Sequence, residues 1–380
     1  MNYRREEKKQ LSDFTINQKC IWLHAASVGE LDQCKALAKI IKLHEKDIFI
    51  LQTIFSNSVK ENNYDSTNTN LYLHLPLDFY GNYDWIFKKF KPDSLVLMAW
   101  DTWPNLIFAS KKFQCKLFLS SAVWDKDSKR NRYGFTKELF SKFDGISPVS
   151  NIMEVDFQKL TDGKVSIISC GDSRFDFIQE KILSTEPNAD FNSKIKTLEY
   201  SKVLILASTY SNCEAIIFPV LKEILELGFH VWIFPHKISS VRITGIEEEL
   251  KKNNLQFEKF SALKSGSKII LFDTLGILAY AYKYAKIAYV GGAIHNKIHN
   301  VLEPIYFKLG LISGKRIFNS FDATELSRLG NLLTIENSKE FLLAFRKLQD
   351  KSENNFDYFA KGIGNSEIFY KTFLSPRNSI

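Results

Sequence analysis

The first half of the chain alternates short apolar runs with longer amphipathic segments. Apolar runs at residues 20–23, 48–53, 94–98, 116–120 and 165–169 each predict a buried strand. Between them, apolar positions recur every three or four residues, as at 34–41, 104–112 and 151–160, which predicts helices. This alternation predicts a parallel sheet covered by helices.

The same alternation restarts after a polar break at residues 179–201. It predicts strands at 203–207, 231–234, 268–272, 287–290 and 311–313, helices at 214–227, 245–252, 275–284 and 301–308, and a helical stretch at 338–374. The chain is therefore expected to be an α/β protein with two doubly wound domains facing across a cleft. We expect an N-terminal domain at 1–178, a linker at 179–200, a C-terminal domain at 201–350 and a final helix at 351–380 that packs back on the first domain.

Composition narrows the class of protein only slightly. The chain has 380 residues, 45% hydrophobic and 25% charged, which is typical of soluble globular proteins. Its net charge of +8 is spread along the chain and fits plain solubility, nucleic acid, an anionic membrane surface or an anionic substrate. Five cysteines without a C-x-x-C pair favour a reduced compartment. The charged N-terminus lacks a signal-peptide pattern, and no apolar run approaches the ~18 residues of a membrane span.

The most informative motif is Ser27-Val28-Gly29-Glu30, between the first strand and the first helix. The carboxyl edge of strands in an open α/β sheet is where ligands bind, so Glu30 is a candidate general base. The same residues match S-x-x-E, an ordinary capping box with Ser27 as N-cap. The pattern leaves both roles open.

The second half carries a glycine-rich candidate site. Gly291 and Gly292 end a strand, and a loop leads to His299-Asn300 and to a helix with Glu303 and Pro304 in its first turn. Glycines and a helix start favour a phosphate group, and Glu303 could accept hydrogen bonds from ribose hydroxyls. The alternative is a capping box formed by Asn300 and Glu303.

Two further segments are candidates, each with a structural alternative. Ser208-Thr209-Tyr210-Ser211 follows a strand and offers hydroxyl groups to a phosphate, but Ser211 with Glu214 is also a capping pattern, which we favour slightly. Asp101 lies between Trp100 and Trp103, whose rings could raise its pKa or line a sugar site, or simply plug the core.

Several chemistries lack support in the sequence. The pair His295 and His299 has no H-E-x-x-H pattern or cysteine partner, so no metal site is predicted. The basic stretch at 126–132 lacks a nucleic-acid motif, which favours a solvated face or contact with a substrate phosphate, and we expect no nucleic-acid partner.

Taken together, these segments resemble the 3-deoxy-D-manno-octulosonic acid (Kdo) transferases of lipid A assembly. The match is ordered along residues 21–321 and is carried by seven short segments, at 22–30, 103–107, 171–176, 208–209, 273–276, 290–292 and 299–304. The ordered set is far more specific than any one segment. The chain is similar to glycosyltransferase family 30 but diverges from it.

The resemblance implies a GT-B fold and an inverting, metal-independent transfer of Kdo from CMP-Kdo to a lipid A precursor, without a cofactor. It places the catalytic groups at Glu30 and Asp101. It implies that the donor site contains Ser208, Thr209, His236, Lys237, Gly291, Gly292, Asn300 and Glu303. It implies that the acceptor site contains Ser27, Gly29, Trp103, Lys129, Arg130 and Arg132. It also implies a peripheral location at the cytoplasmic face of the bacterial inner membrane.

The sequence departs from the family pattern at several positions. His236 stands where the family has an arginine near the CMP phosphate, Lys297 and Ile298 replace glycines, and Asp101 replaces a glutamate; we also expect the family's N-terminal membrane anchor to be missing. Two alternatives therefore stay open: another GT-B enzyme that uses a UDP-sugar, and a non-catalytic homologue that binds the lipid A precursor.

A membrane-facing segment is also a prediction. Trp85, Phe87, Lys88, Lys89 and Phe90 combine aromatic and basic residues that suit an anionic membrane surface. The alternative is an amphipathic helix that faces the core.

Overall fold

The structure, a computed structural model, describes residues 11, 14–57, 59–125, 135–184, 189–195, 202–264, 267–349 and 357–375. The chain divides into two compact units. The first comprises Met1–Phe177 and Gly362–Ile380, and the second comprises Ile178–Lys361.

A seven-stranded, fully parallel sheet forms the centre of the first unit. Its strands are β1 (Cys20–Ala25), β2 (Phe49–Ile54), β3 (Leu71–His74), β4 (Ser94–Met98), β5 (Lys116–Ala122), β6 (Gly145–Pro148) and β7 (Ser166–Ile167). Their order is β3-β2-β1-β4-β5-β6-β7, so the order reverses between β1 and β4. The five predicted strands of this half are confirmed. β3 was missed because its side chains are mostly half-exposed at the sheet edge, and β6 because it contains glycine and proline.

Helices cover both faces of this sheet. They are α1 (Val28–His44), α2 (Asp84–Phe90), α3 (Pro104–Lys112), α4 (Thr136–Phe140) and α5 (Asn151–Leu160), and α6 (Arg174–Ser184) begins in this unit and continues into the second. In α2, Phe87 and Phe90 are only 2% and 1% exposed and belong to the core. The membrane-facing interpretation of these two rings is therefore wrong, and the core-facing alternative is confirmed.

The second unit repeats this architecture. Its strands are β8 (Val203–Thr209), β9 (His230–Pro235), β10 (Glu258–Lys259), β11 (Ile269–Leu271), β12 (Ile287–Val290), β13 (Gly310–Gly314) and β14 (Leu332–Ile335). They are all parallel in the order β10-β11-β9-β8-β12-β13-β14, with the reversal between β8 and β12. The prediction of two doubly wound Rossmann-like domains is confirmed. The sequence missed β10, which has two residues, and β14.

Most of the predicted helices of the second unit are shorter in the structure, and one is longer. The helices of this unit are α7 (Ala189–Ile195), α8 (Ser211–Ile217), α9 (Leu221–Glu226), α10 (Ser240–Lys252), α11 (Leu278–Ala281), α12 (Leu302–Tyr306), α13 (Phe321–Arg328) and α14 (Ser338–Gln349). The predicted helix at 214–227 is interrupted by a 3-10 turn, Phe218–Val220, because Pro219 cannot donate a helical hydrogen bond. α10 begins earlier than predicted because Ser239 caps its first turn.

The last described segment belongs to the first unit. Helix α15 (Asn365–Phe369) continues into a π-helical turn, Tyr370–Leu374. The Asp176 carboxylate accepts hydrogen bonds from the backbone N–H groups of Gly364 (2.5 Å) and Ser366 (2.7 Å), which satisfies donors at the start of α15. Among the described residues, no helix is both long enough and apolar enough to cross a bilayer.

Candidate functional site

The first candidate site is the point where strand order reverses in the first sheet. The loop after β1 leads through Ser27 to Glu30, and the loop after β4 leads through Ala99 to Asp101. Ala99 has a positive φ of 52°, a conformation that costs a non-glycine residue roughly 1–2 kcal/mol. Reversal points of this kind are where open α/β sheets bind their ligands.

Glu30 makes the contacts of a helix cap. Its backbone N–H donates to Ser27 Oγ (3.4 Å), and its Oε2 accepts a hydrogen bond from the N–H of Ala26 (2.7 Å). Glu340 makes equivalent contacts at α14, where Asn337 Oδ1 accepts from the Glu340 N–H (2.9 Å) and the Glu336 N–H donates to Glu340 Oε2 (2.8 Å). The capping interpretation of Glu30 is confirmed, and its role as a base stays a prediction.

The location of Glu30 distinguishes it from an ordinary cap. Burial raises the pKa of its carboxyl group, while hydrogen bonds from Ala26 and Ser27 oppose that shift. Burial also raises the pKa of the Cys34 thiol well above its usual range, and the charges of Glu30 and Asp101 add to this effect. The charges of both carboxyl groups therefore raise the pKa of the same buried thiol, which places the two groups near each other at this sheet edge.

Asp101 lies beside a histidine that the sequence reasoning did not single out. His24, at 0% exposure, places its Nε2 3.6 Å from Asp101 Oδ2. Its Nδ1 lies 2.8 Å from Thr53 Oγ1, which accepts a hydrogen bond from the indole N–H of Trp22 (2.8 Å). The direction of the contact between Thr53 and Nδ1 depends on which ring nitrogen of His24 carries the proton. Burial lowers the pKa of His24 to about 3, so the ring is neutral at pH 7.

The two tryptophans around Asp101 differ in exposure. Trp103 packs against His24 and Phe55, with ring centroids 5.8 and 4.6 Å apart, whereas Trp100 is 41% exposed. Asp101 is 7% exposed. A mostly buried acid with one packed and one accessible aromatic ring keeps both sequence interpretations open.

The predicted acceptor residues are only partly placed. Ser27 is the N-cap of α1, and Gly29 is exposed, with nothing within 4 Å of the position its Cβ would take. Lys129, Arg130 and Arg132 lie outside the described residues. The open space at Gly29 is available to a ligand.

The reversal point of the second sheet has a tightly packed backbone. Ser208, the residue before the last of β8, has a positive φ of 52°, and a Cβ on Gly291 would overlap the Ser208 carbonyl oxygen. A Cβ on Gly292, whose φ is +98°, would overlap the carbonyl oxygen of Lys297. The protein's own backbone therefore requires both glycines, whether or not a phosphate also approaches them.

Thr209 and Glu214 take part in an internal network. The Thr209 hydroxyl donates to Glu214 Oε1 (2.7 Å), and the Arg242 guanidinium pairs with the same carboxylate. The favoured cap of Ser211 with Glu214 is wrong: Ser211 is the first helical residue, and the N-cap, Tyr210, makes no side-chain cap hydrogen bond. Glu214 is buried and takes these partners instead.

Asn300 and Glu303 do not form the predicted capping box. Asn300 Oδ1 accepts a hydrogen bond from the N–H of Leu302 (2.9 Å), while Glu303 forms an ion pair with Lys181 (2.7 Å). This ion pair holds the carboxylate that was predicted to accept hydrogen bonds from ribose.

A cluster of rings lies next to the two glycines. The backbone N–H groups of His295 and His299 donate to the carbonyl oxygens of Gly292 (3.2 Å) and Gly291 (3.1 Å), which folds the loop over the glycines. His299 stacks on His236 and Tyr210, and its Nε2 is 3.0 Å from the Tyr210 hydroxyl. Of these residues, only His236 was in the predicted donor set, although Tyr210 and His299 lie within the two candidate phosphate segments. Across the described residues, no group of three or more His, Cys, Asp or Glu is arranged to hold a metal ion.

Comparisons with known proteins show what this chain is similar to. Residues 3–177 match the family model described as 3-Deoxy-D-manno-octulosonic-acid transferase (kdotransferase). The chain is 27% identical to a bifunctional glycosyltransferase/methyltransferase of Fusobacterium nucleatum, covering 92% of this chain and 56% of that protein. It is 28% identical to the 3-deoxy-D-manno-octulosonic acid transferase of Rickettsia felis, covering 80% of this chain and 65% of that protein. The chain thus spans less than two thirds of the length of either relative.

A solved structure supports the fold. The UDP-GlcNAc 2-epimerase of Neisseria meningitidis, bound to UDP-GlcNAc, matches with a TM-score of 0.70 at 12% identity, covering 94% of this chain and 100% of that one. A likeness at this identity shows the fold alone, and it agrees with the prediction of a GT-B fold, which is confirmed. The family model and the curated relatives go further: over residues 3–177, and at lower identity over most of its length, the chain is similar to the Kdo transferases.

Proposed function

We propose that this protein is an inverting glycosyltransferase that moves Kdo from CMP-Kdo to a lipid A precursor. The observation that carries the proposal is the partly buried Glu30 carboxylate at the reversal point of the first sheet, inside the region that matches the family model. The transfer is proposed to need no metal and no cofactor.

Glu30 is proposed to act as the general base. The attacking group is a sugar hydroxyl, which must lose its proton as it bonds to the anomeric carbon of Kdo. Burial raises the pKa of Glu30, which makes the carboxylate a better proton acceptor, and such a group typically contributes ~10²–10⁴-fold to the rate. The contact from Ala26 orients the carboxylate through Oε2.

Asp101 is proposed to assist at the same edge. The neutral His24 lies beside its carboxylate, with Nε2 3.6 Å from Asp101 Oδ2, and is proposed to help orient that side chain. Gly29 leaves open space for the acceptor, and Ser27 and Trp103 are proposed to border it. Lys129, Arg130 and Arg132 are proposed to meet the acceptor phosphates.

The second sheet is proposed to bind CMP-Kdo. The leaving group is a phosphate, so hydrogen-bond donors and positive charge stabilise it as the glycosidic bond to CMP breaks. Ser208, His236, Lys237 and the loop that begins at Gly291 and Gly292 lie near the reversal point of this sheet. Thr209, Asn300 and Glu303 are proposed to shape this site through their internal contacts.

The proposed location is the cytoplasmic face of the bacterial inner membrane, as a peripheral protein. The acceptor is a lipid, and the chain carries a net charge of +8, which favours an anionic membrane surface. Co-flotation with anionic liposomes is the expected result, and protein that stays unbound at low salt would contradict it.

A transfer assay tests the function directly. The protein is incubated with a tetraacyl disaccharide bisphosphate and with CMP-Kdo that is generated in situ, and the lipid is analysed by mass spectrometry. We expect a mass increase equal to one or more Kdo units. No adduct at any protein concentration would reject the proposal.

Ligand-dependent melting separates the alternatives. A nucleotide that binds the folded state raises the melting temperature by mass action. We expect CMP to stabilise the protein more than UDP does. Selective stabilisation by UDP would favour a UDP-sugar enzyme, which is suggested by His236 standing where an arginine was expected. Binding of the lipid acceptor without any nucleotide would favour a non-catalytic homologue.

A further inference from the structure

Four side chains of the second unit form a ring cluster at the carboxyl ends of three strands. Tyr210 follows β8, His236 follows β9, and His295 and His299 lie in the loop after β12. The ring centroids of His236 and His299 are 4.5 Å apart, and that of Tyr210 lies 4.8 Å from His236 and 4.6 Å from His295. We call these four residues the histidine cluster.

The charges around the histidine cluster are mainly positive. Lys237 is adjacent to His236, Lys297 lies in the same loop as the other two histidines, and the Arg316 guanidinium donates to the His295 carbonyl oxygen (3.0 Å). Within the part of the chain that the structure describes, no ion pair joins a carboxylate to a cluster histidine or to Lys237. The two carboxylates on neighbouring segments are already engaged, Glu214 with Arg242 and Glu303 with Lys181.

This environment favours the neutral imidazoles of His236 and His299 when no anion is bound. Burial, together with the charges of His236 and His295, lowers the pKa of His299 to about 4. Burial and the charge of Lys237 lower the pKa of His236. All the charged neighbours that lower the pKa of these two rings are cationic. An anion bound between the rings would raise their pKa and favour the protonated form.

The contact between Tyr210 and His299 identifies His299 Nε2 as the atom that takes up the proton when an anion binds. Burial raises the pKa of the Tyr210 hydroxyl, so it stays protonated and can donate to His299 Nε2, 3.0 Å away. When His299 takes up a proton at Nε2, the direction of this hydrogen bond reverses and the tyrosine oxygen becomes the acceptor. The tyrosine hydrogen is then released and can donate to a ligand oxygen.

We propose that the histidine cluster binds a phosphate group together with a proton, so that nucleotide binding at this sheet edge strengthens as the pH falls. The inference rests on the proposed function, in which the phosphate belongs to CMP. The proton comes from solvent and is held on an imidazole nitrogen, and no covalent bond forms or breaks. An arginine in place of His236 would give phosphate binding without this dependence, because a guanidinium stays charged at all working pH values.

The direction of the pH effect follows from linkage. The free rings bind few protons at pH 7, and a bound phosphate raises their pKa, so the complex holds more protons than the free protein. The affinity therefore increases by up to about tenfold per pH unit for each proton taken up. The effect ends near pH ~6, where the phosphate monoester takes up its own second proton.

Calorimetry of CMP binding in two buffers of different ionisation enthalpy measures this proton uptake. We expect uptake of about one proton per CMP at pH 7.5, and a clear reduction in both uptake and affinity in His236→Asn and His299→Asn. His230→Asn, at the amino end of β9, is the matched control and should behave as the unchanged protein does. Histidine NMR signals of the unchanged protein provide a second measurement, since the His236 and His299 signals should titrate at higher pH when CMP is present.

The outcomes separate this inference from the proposed function. CMP binding without proton uptake would overturn the inference and leave the transferase proposal intact. Absence of CMP binding, with inorganic phosphate bound and proton uptake lost in His236→Asn, would support the cluster as a phosphate site and count against the CMP donor. If neither ligand binds at millimolar concentration, the inference fails, while the Kdo transfer assay still decides the function.

Discussion

The two sheets of this protein share one topology but carry opposite chemistry at their reversal points. The first presents the partly buried carboxyl group of Glu30 and the buried one of Asp101, which lies beside a neutral histidine, His24. The second presents the imidazoles of His236 and His299 with Lys237 nearby. The fold therefore sets where ligands can bind, and the side chains set which charge each edge accepts.

The backbones at the two edges differ as well. A Cβ at Gly29 would meet open space, whereas Cβ atoms at Gly291 and Gly292 would overlap neighbouring carbonyl groups. Both edges also hold a non-glycine residue with a φ of 52°, Ala99 after β4 and Ser208 near the end of β8. The first edge thus keeps room for a ligand beside its helix, and the second uses its glycines to fold its own loop.

The largest expected effect comes from removing the charge of Glu30. Glu30→Gln should lower the transfer rate by ~10²–10⁴-fold, because a neutral amide cannot take the acceptor proton. Gln keeps a carbonyl oxygen for the Ala26 N–H, so the melting temperature should change little. Turnover measured by product mass and melting followed by circular dichroism check both expectations.

Glu340→Gln is the matched control, since Glu340 makes the same capping contacts at another helix. It should leave turnover unchanged. Near-normal turnover in Glu30→Gln, or an equal loss in both variants, would leave Glu30 with its capping role alone.

Paired glycine substitutions should sharpen the contrast between the two backbones. Gly291→Ala should destabilise the protein by about 1–3 kcal/mol or more, because its methyl group would overlap the Ser208 carbonyl. Gly29→Ala should leave stability unchanged or raise it by up to ~1 kcal/mol, since alanine is the better helix former and the space is free. If Gly29→Ala nonetheless weakens acceptor binding, a ligand uses that space. Equal denaturation midpoints for the two variants would contradict the difference.

His24 should make the stability of the first unit depend on pH in the acidic range. Its pKa is about 3 in the folded protein and near 6.5 when unfolded, so the unfolded state binds more protons as the pH falls below 6.5. Stability is therefore lost on acidification, by about 2 kcal/mol at pH 5 from this residue. His24→Gln should flatten urea midpoints measured between pH 7 and pH 5, whereas His74→Gln, a partly exposed histidine, should not. The same acid slope in His24→Gln as in the unchanged protein would exclude this account.

The sequence was sufficient for the architecture because apolar runs and helical periodicity are local signals. All ten predicted strands exist. Each has apolar side chains that are buried in the fold, and this burial is what the apolar runs indicate. The missed strands are short or lie at the sheet edges. The helix at 214–227 was too long because the consequence of Pro219 was not taken into account.

The candidate site was harder to predict because its partners are far apart in sequence. S-x-x-E and N-x-x-E patterns suggested three capping boxes, but only the one at Ser27 formed. Glu214 and Glu303 found Arg242 and Lys181 instead, which local spacing cannot show. His24 was overlooked because an isolated histidine in a strand carries no spacing signal, and its neighbour Asp101 lies 77 positions away in sequence, three strands later in chain order.

The affinity of CMP for Glu30→Gln and His236→Asn tests the division of labour between the two edges most directly. We predict that His236→Asn weakens CMP binding at pH 7, while Glu30→Gln binds CMP as tightly as the unchanged protein. Loss of CMP affinity in Glu30→Gln, with normal affinity in His236→Asn, would contradict the assignment of base and nucleotide to the two sheets.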